Sequence, residues 1–206
     1  MFLYDMGAHR SSRARAAAGF SAVELLLVCA VTVTLLTISI PATVDALDEI
    51  RTGMATRYLE ARIMDARMQA IRASTSVALR FEARGGDYRF AAYRDGNGNG
   101  IRLADIAAGI DAMESPPRYL RDDFSGVAFG LLAGVPDMDG GRSAAAADGV
   151  RIGASRILTL GPDGTATPGT LYVHGRRSQH AVRILGATGR VRLLRFDRGM
   201  RQWLSR

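Results

Sequence analysis

The feature that most constrains this chain is the stretch from Phe20 to Ile40, which contains only one charged residue, Glu24. All its other side chains are apolar, small or hydroxylated. A helix rises about 1.5 Å per residue, so roughly 20 such residues cross the ~30 Å hydrocarbon layer of a bilayer. The stretch therefore predicts a membrane-spanning helix over residues 20–40.

Positive charge precedes this stretch, since the first nineteen residues carry three arginines and one acid. Basic residues mark the cytoplasmic end of a span, so we expect residues 41–206 on the opposite side of the membrane. An ordinary secretory signal has a small-residue cleavage site after its apolar run, but none occurs here before Pro41. Small residues stand before the run instead, and the last of them is Gly19.

The segment Gly19-Phe20-Ser21-Ala22-Val23-Glu24 resembles the processing site of type IV prepilins: a basic leader ending in Gly, then Phe, with Glu at the fifth mature position. This resemblance implies that a prepilin peptidase removes residues 1–19 on the cytoplasmic side and that the new N-terminus is methylated. It further implies a single-pass inner-membrane protein whose C-terminal domain is periplasmic. Its partners would be the membrane and other pilin or pseudopilin subunits, with which it assembles into a filament.

Glu24 also indicates a function on physical grounds. A carboxylate within an apolar helix costs about 3 kcal/mol on insertion scales, so such a group is expected to have a partner. The prepilin resemblance supplies one, namely the N-terminal amine of a neighbouring subunit. The alternative is that Glu24, one turn into the helix, reaches the membrane interface and has no role in assembly.

Composition restricts the exported part to one modest domain, because only about 165 residues follow the apolar stretch. The single cysteine, Cys29, lies in that stretch, so the domain has no disulfide and depends on packing. Charge is uneven: residues 41–175 hold fifteen arginines and seventeen acids, whereas residues 176–206 hold nine arginines and one acid. Such asymmetry indicates a polyanionic partner or a solvated sheet rim.

A helical pattern continues over residues 41–75. Pro41 is compatible with a kinked but unbroken helix. Apolar residues then recur at steps of three or four, which predicts one amphipathic face. We expect this face to pack on the domain core; its members are Leu47, Ile50, Met54, Tyr58, Ala61, Met64, Met68 and Ile71.

From Ser74 the pattern changes to alternation, which predicts strands. Val77–Phe81 and Tyr88–Tyr93, joined by Arg84-Gly-Gly-Asp87, predict a hairpin. Further strands are predicted over 127–129, 150–152, 156–160, 170–174, 181–185 and 190–196. The predicted fold class is therefore α+β: a long N-terminal helix packed on an antiparallel β-sheet domain, residues 76–206, as in the pilin fold.

The C-terminal half indicates a narrower group among the proteins with a prepilin-like processing site. Its segments Leu158–Gly164, Gly169–Val173, Ala181–Leu185 and Thr188–Arg192 resemble, in order and spacing, those of FimT/GspH-type minor pilins and pseudopilins. Some FimT-type members are DNA-uptake pilins in which a Gly-Arg-x-Arg motif contacts DNA. That motif stands here as Gly189-Arg190-Val191-Arg192. The resemblance thus implies a pilus subunit that captures DNA or, alternatively, a pseudopilin of type II protein secretion without a DNA role.

The residues themselves support a phosphate-binding interpretation of this motif. Side chains two apart on a strand point to the same face and stand ~7 Å apart, close to the spacing of phosphates along an extended nucleic-acid strand. Arg190 and Arg192 are therefore the predicted DNA-binding residues, with Arg183 and Arg195 extending the patch. Trp203 and Tyr172 are candidates for base stacking or for the core.

The loop Asp95-Gly-Asn-Gly-Asn-Gly100 begins like a calcium loop, with oxygen-bearing side chains at Asp95, Asn97 and Asn99. The twelfth position is Ile106, where a bidentate acid is required, and Asp105 stands one residue early. Asn and Gly are also the residues of tight turns. Two interpretations stay open: a structural turn, or a weak Ca²⁺ site formed by Asp95, Asn97, Asn99 and Asp105.

Sequence motifs for catalysis are lacking. The three histidines are scattered, and the chain has no Gly-x-Ser-x-Gly elbow, phosphate loop or cysteine nucleophile outside the apolar stretch. Acids such as Asp122 and Asp123 have no neighbouring base or nucleophile in the sequence. We therefore expect a subunit that acts by assembly and binding, without enzymatic activity and without a required cofactor.

Overall fold

The computed structural model describes residues 21–138 and 148–205, and the chain divides into two units at Pro41. A single α-helix, α1, covers Ala22–Ala73 and includes Pro41. Every described side chain from Ser21 to Pro41 is exposed. By length and composition, α1 is the one helix of the described residues that could cross a membrane.

Threonines in the first unit are compatible with an apolar environment because their hydroxyls are satisfied within the helix. The hydroxyls of Thr32, Thr34 and Thr37 donate to the carbonyl oxygens four residues earlier, at 2.7, 2.8 and 2.8 Å. This pattern removes the cost of leaving a polar group unpaired in hydrocarbon. The hydroxylated residues therefore do not weaken the prediction of a membrane-spanning segment.

The second unit, from Ala42 onward, combines the remainder of α1 with two antiparallel sheets. In sheet A the strand order is β3-β2-β1-β7, and β4 also pairs with β2; in sheet B it is β11-β10-β9-β8-β5, and β6 also pairs with β8. The strands are β1 Val77–Arg84, β2 Asp87–Arg94, β3 Ala112–Met113, β4 Arg118–Tyr119, β5 Ala128–Phe129, β6 Val150–Arg151, β7 Ile157–Leu160, β8 Gly169–His174, β9 Gln179–Leu185, β10 Arg190–Asp197 and β11 Gln202–Ser205. Short helices are α2 Leu103–Ala108 and α3 Leu120–Asp123, with a 3₁₀ turn at Gly186–Thr188.

The predicted α+β class is confirmed, and the arrangement is compatible with a pilin fold. The predicted β1–β2 hairpin is confirmed, and Arg84 lies opposite Asp87. Its two-residue loop, Gly85-Gly86, has φ of 59° and 80°. Glycine enters this left-handed region at little cost, and the resulting turn matches the twist of the strands.

One buried cluster joins the helix to both sheets. From α1 it includes Ala55, Leu59 and Ile63; from sheet A, Leu79 and Phe81; and from sheet B, Leu171, Val173, Val182 and Ile184. Aromatic rings extend it, since the Phe81 and Phe129 ring centroids lie 5.6 Å apart. The helix therefore packs as one wall of the core of the second unit.

The prediction of which helix face packs on the core was wrong, although one of its residues, Tyr58, is half-buried and packs against the core cluster. Leu47, Ile50, Met54, Met68 and Ile71 are exposed. The buried face is formed instead by small and polar residues together with two large apolar ones: Asp48, Thr52, Ala55, Thr56, Leu59, Ile63, Ala66 and Ala70. Apart from the adjacent pair Ala55 and Thr56, these recur at steps of three or four, and they lie on the opposite side of the helix from the predicted stripe.

Candidate functional site

The Gly-Arg-Val-Arg segment begins in a tight turn that only glycine fits. Gly189 has φ of 59°, and a Cβ there would overlap the carbonyl oxygen of Gly164. Arg67 of α1 secures this turn, because its Nε donates to Gly164 O and its Nη2 to Thr188 O, both at 3.1 Å. The helix thereby fixes the start of β10 and the direction in which Arg190 leaves the turn.

Arg190 and Arg192 are both exposed, while the alternating residues Val191 and Leu193 pack against the core cluster. Alternation along β10 therefore places the two arginines on the outer face of sheet B, away from the core. Neither arginine forms an ion pair with any residue in the described part of the chain. Their charges are available to a ligand.

Arg183 shares this face because it is the direct cross-strand partner of Arg192. On its other side it pairs with Thr170 of β8. These two residues line an open depression of about 500 Å³ together with Pro168, Leu185 and Ala187. The structure thus brings three predicted arginines, at 183, 190 and 192, onto one surface.

Arg195 does not join them. It is three residues beyond Arg192, so alternation turns its side chain to the opposite face of β10. There its Nη1 lies 3.6 Å from Glu49 Oε1 and its Nη2 lies 3.9 Å from Asp197 Oδ2. Glu49 also contacts the buried His180, whose Nε2 is 3.2 Å away. Arg195 therefore links sheet B to α1.

The two aromatic candidates for base stacking belong to a packed cluster. Tyr172 is fully buried, and its hydroxyl donates to Asp137 Oδ1 at 2.7 Å. The ring of Trp203 lies 5.7 Å from that of Tyr172 and 5.4 Å from that of Phe196, between centroids. Its indole N–H donates to Pro136 O at 3.0 Å. Both rings thus hold residues 136–137 against sheet B.

Arg57 of α1 is a cation near the site that no sequence motif selects. It is exposed and lines an open groove of about 440 Å³ together with Arg192 and Ser205. In the sequence it stands 135 positions before Arg192 and in a different kind of element. No local pattern marks this proximity, because only the packing of α1 beside β10 creates it.

Asp48 of α1 holds the turn that joins β8 and β9 of sheet B. Its Oδ1 accepts the N–H of Arg176 at 2.7 Å, and its Oδ2 accepts the N–H groups of Arg177 at 2.9 Å and Ser178 at 2.8 Å. The Ser178 hydroxyl donates to the same Oδ2 at 2.8 Å. Burial works to raise the pKa of Asp48, but these hydrogen bonds outweigh it and hold the pKa below its usual value.

The predicted calcium loop is a turn organised by Asp95, which is buried. Asp95 Oδ1 accepts the N–H of Gly98 and Oδ2 that of Gly100, both at 2.8 Å, so backbone donors occupy both carboxylate oxygens. Asn97 Oδ1 accepts the N–H of Asn99 at 3.2 Å. No group of three or more His, Cys, Asp or Glu among the described residues is arranged to hold a metal ion. Calcium binding stays a prediction.

The predicted processing site is only partly described. Gly19 and Phe20 lie outside the described residues, and Glu24 occupies the first turn of α1. Comparisons with models of protein families, with curated proteins and with solved structures gave no match for this chain. Function must therefore be inferred from the sequence motifs and the geometry described above.

Proposed function

We propose that this protein is a membrane-anchored minor subunit of a type IV pilus, of the FimT/GspH-type minor pilin and pseudopilin group. It is processed after Gly19, is held by the apolar part of α1, and works by assembly and binding. Support comes from the processing motif at residues 19–24, from a helix long and apolar enough to cross a membrane, and from the antiparallel domain that follows.

The observation that carries the proposal is the outward stripe of α1, formed by Leu47, Ile50, Met54, Met68 and Ile71. Each of these side chains is exposed, with Ile50 at 55% and Met54 at 45%. Exposed apolar side chains on a helix whose other side is already packed are typical of a face that binds a second element. The α1 helix of a neighbouring subunit is the matching surface, because it presents the same stripe.

Glu24 has a defined role in this assembly. Its carboxylate pairs with the N-terminal amine that processing creates on an adjacent subunit, so two charges enter the apolar filament interior together. Pairing offsets the cost of about 3 kcal/mol that a lone carboxylate bears in hydrocarbon. Assembly therefore requires both cleavage and the acid at position 24.

Assembly is tested by following processing and incorporation separately in cells. Gly19→Leu should leave residues 1–19 attached, which mass spectrometry reads directly. Glu24→Ala should be processed and inserted normally but be depleted from sheared filaments by about tenfold or more, if the pairing is worth ~1.4 kcal/mol or above. A normal mature mass in the first variant, or wild-type filament levels in the second, contradicts the proposal.

Nucleic-acid binding is the second element of the proposal. Arg190 and Arg192 are exposed and share one face, and Arg192 lies opposite Arg183. Guanidinium groups in this arrangement suit successive phosphates of an extended strand. Binding would be weak, independent of base sequence and sensitive to salt, because phosphate contacts release counterions and read no base. The alternative, a type II secretion pseudopilin, has no DNA role.

The two alternatives differ in a binding assay with detergent-solubilised full-length protein and a fluorescent oligonucleotide. Replacing Arg190 and Arg192 together by Gln should weaken binding and flatten the dependence of log K on log salt by about one to two contacts. Replacing Arg72 and Arg102, also exposed, removes the same charge elsewhere and serves as the control. Wild-type protein that fails to bind at low salt supports the secretion role.

A further inference from the structure

The groove beside β10 joins the helix to the arginine surface. Its walls come from three elements: Arg57 and Glu60 of α1, Val191–Leu193 of β10 and Ser205 of β11. It is open because β11 pairs only with Leu194–Asp197. Among the described residues, the first half of β10 therefore has a strand neighbour on one side alone.

Charge in this groove is mainly positive. Arg57 and Arg192 are exposed, and neither forms an ion pair within the described ranges 21–138 and 148–205. The one acid in the lining, Glu60, is half-buried and likewise forms no ion pair there. Two guanidiniums that form no ion pair and face one concave surface repel each other, so an anion that binds between them is stabilised by both.

We propose that Arg57 is a further nucleic-acid contact: a phosphodiester strand held by Arg190 and Arg192 turns around the edge of β10 into this groove and places a phosphate between Arg57 and Arg192. This inference rests on the proposed nucleic-acid binding by the outer face of sheet B. It adds a residue from α1 to a site that the sequence places in the C-terminal region alone.

The form of the groove favours a phosphodiester over an acidic peptide. Cations stand on both sides of the edge, Arg190 and Arg192 on the outer face and Arg57 on the helix. A strand carrying an anion at every nucleotide, ~7 Å apart when extended, meets each of them in turn. A peptide would instead add to the edge as a strand, and its side chains would alternate between the two faces. Only half of its acids could then face Arg57.

Glu60 provides a second test of the proposal, because its removal should change the binding affinity in the opposite direction. A carboxylate in the groove repels a phosphate placed there, so its removal should strengthen binding, whereas loss of Arg57 should weaken it. A ligand that touches only the outer face of sheet B lies outside the groove and would respond weakly to both changes, because surface charges are screened beyond about 8–10 Å.

The test uses full-length protein in detergent and a fluorescein-labelled single-stranded oligonucleotide, with anisotropy measured over a range of salt concentrations. Arg57→Gln should weaken binding about two- to fivefold and reduce the salt slope by about 0.7, the value for one contact to a single strand. Glu60→Gln should strengthen binding by a similar factor. Arg72→Gln, which changes an exposed arginine in the last turn of the same helix, should leave both quantities within error.

Three results would overturn the inference. If Arg57→Gln matches Arg72→Gln while the Arg190/Arg192 double variant still weakens binding, the groove is not used, and the proposed function stands. Poly-glutamate is also added as a competitor that carries the same total charge as the oligonucleotide. If it displaces the oligonucleotide from the wild type but not from Arg57→Gln, the groove binds acidic peptide instead. If the wild type does not bind at all, this inference and the proposed nucleic-acid binding both fall, and the assembly proposal is unaffected. Unchanged circular dichroism and melting temperature in each variant exclude misfolding.

Discussion

Over residues 44–71, one side of α1 is buried against the domain and the other side is exposed. The buried side carries small and polar residues such as Asp48, Thr52 and Ala55 with only Leu59 and Ile63 as large apolar groups, whereas the exposed side carries Leu, Ile and Met. The comparison shows that apolar content alone does not select the packed side. Small residues permit close approach of the sheets, and polar anchors at fixed points decide the orientation.

Those anchors lie towards both ends of the packed segment. Asp48 accepts four hydrogen bonds from the turn at 176–178, and Thr52 lies 2.6 Å from the Ser178 hydroxyl, between oxygens. Further along, Arg67 binds the turns at Gly164 and Thr188. Rotating the helix to bury the Met-containing stripe would leave these buried donors and acceptors unpaired, each at a cost of about 1–3 kcal/mol.

The largest effect is expected from the packed side. Leu59→Ala should lower the free energy of unfolding by about 2–5 kcal/mol, because Leu59 is fully buried in the cluster shared by α1 and both sheets. Urea denaturation of the detergent-solubilised protein, followed by the near-ultraviolet signal of Trp203, measures this loss. A change below ~1 kcal/mol would mean that this side of the helix is not the packed one.

An intermediate effect on the free energy of unfolding is expected from Asp48. Asp48→Asn should cost about 1–3 kcal/mol at neutral pH, since an amide cannot accept all the hydrogen bonds that the carboxylate accepts. The lowered pKa of Asp48 means that its stabilisation is present above the pKa of the unfolded chain, about 3.9, and is lost as pH falls through the lower folded value. The difference in melting temperature between wild type and variant should therefore shrink below about pH 4.

The control for this pH dependence is Asp65→Asn, which changes an exposed acid on the same helix. Its melting temperature should follow that of the wild type across the whole pH series. If Asp48→Asn keeps a constant difference from wild type down to pH 2, the stabilisation does not come from the charged carboxylate, and the anchor interpretation is wrong.

The smallest effect on stability is expected from the exposed stripe. Met54→Ala removes a side chain of about the same size as Leu59, but one that is 45% exposed, so the free energy of unfolding should change by no more than about 0.5 kcal/mol. Under the proposed function, the same variant should be under-represented in sheared filaments. A stability loss comparable to that of Leu59→Ala would remove the distinction between the two sides.

The sequence by itself determined the elements whose patterns are local. The apolar run predicted a helix long enough to cross a membrane, the Gly-Gly turn predicted the β1–β2 hairpin, and alternation located β8, β9 and β10 to within a few residues. The placement of Arg190 and Arg192 on one face also followed from sequence, because side-chain direction in a strand has a period of two. The same alternation, applied to Arg195, places its side chain on the opposite face of β10, as the structure shows.

Only the tertiary structure decided the side on which α1 packs, the short strands β3, β4 and β11, and the proximity of Arg57 to Arg192. A helix with apolar residues on two sides has two possible packed faces, and the choice depends on the hydrogen bonds of Asp48 and Arg67 to turns more than ninety residues away. The segments of β3, β4 and β11 show no alternation that marks them as strands, and they exist because a longer strand pairs with them. Such long-range pairings leave no periodic trace in the sequence, so the residues that meet at the groove could be found only in the folded chain.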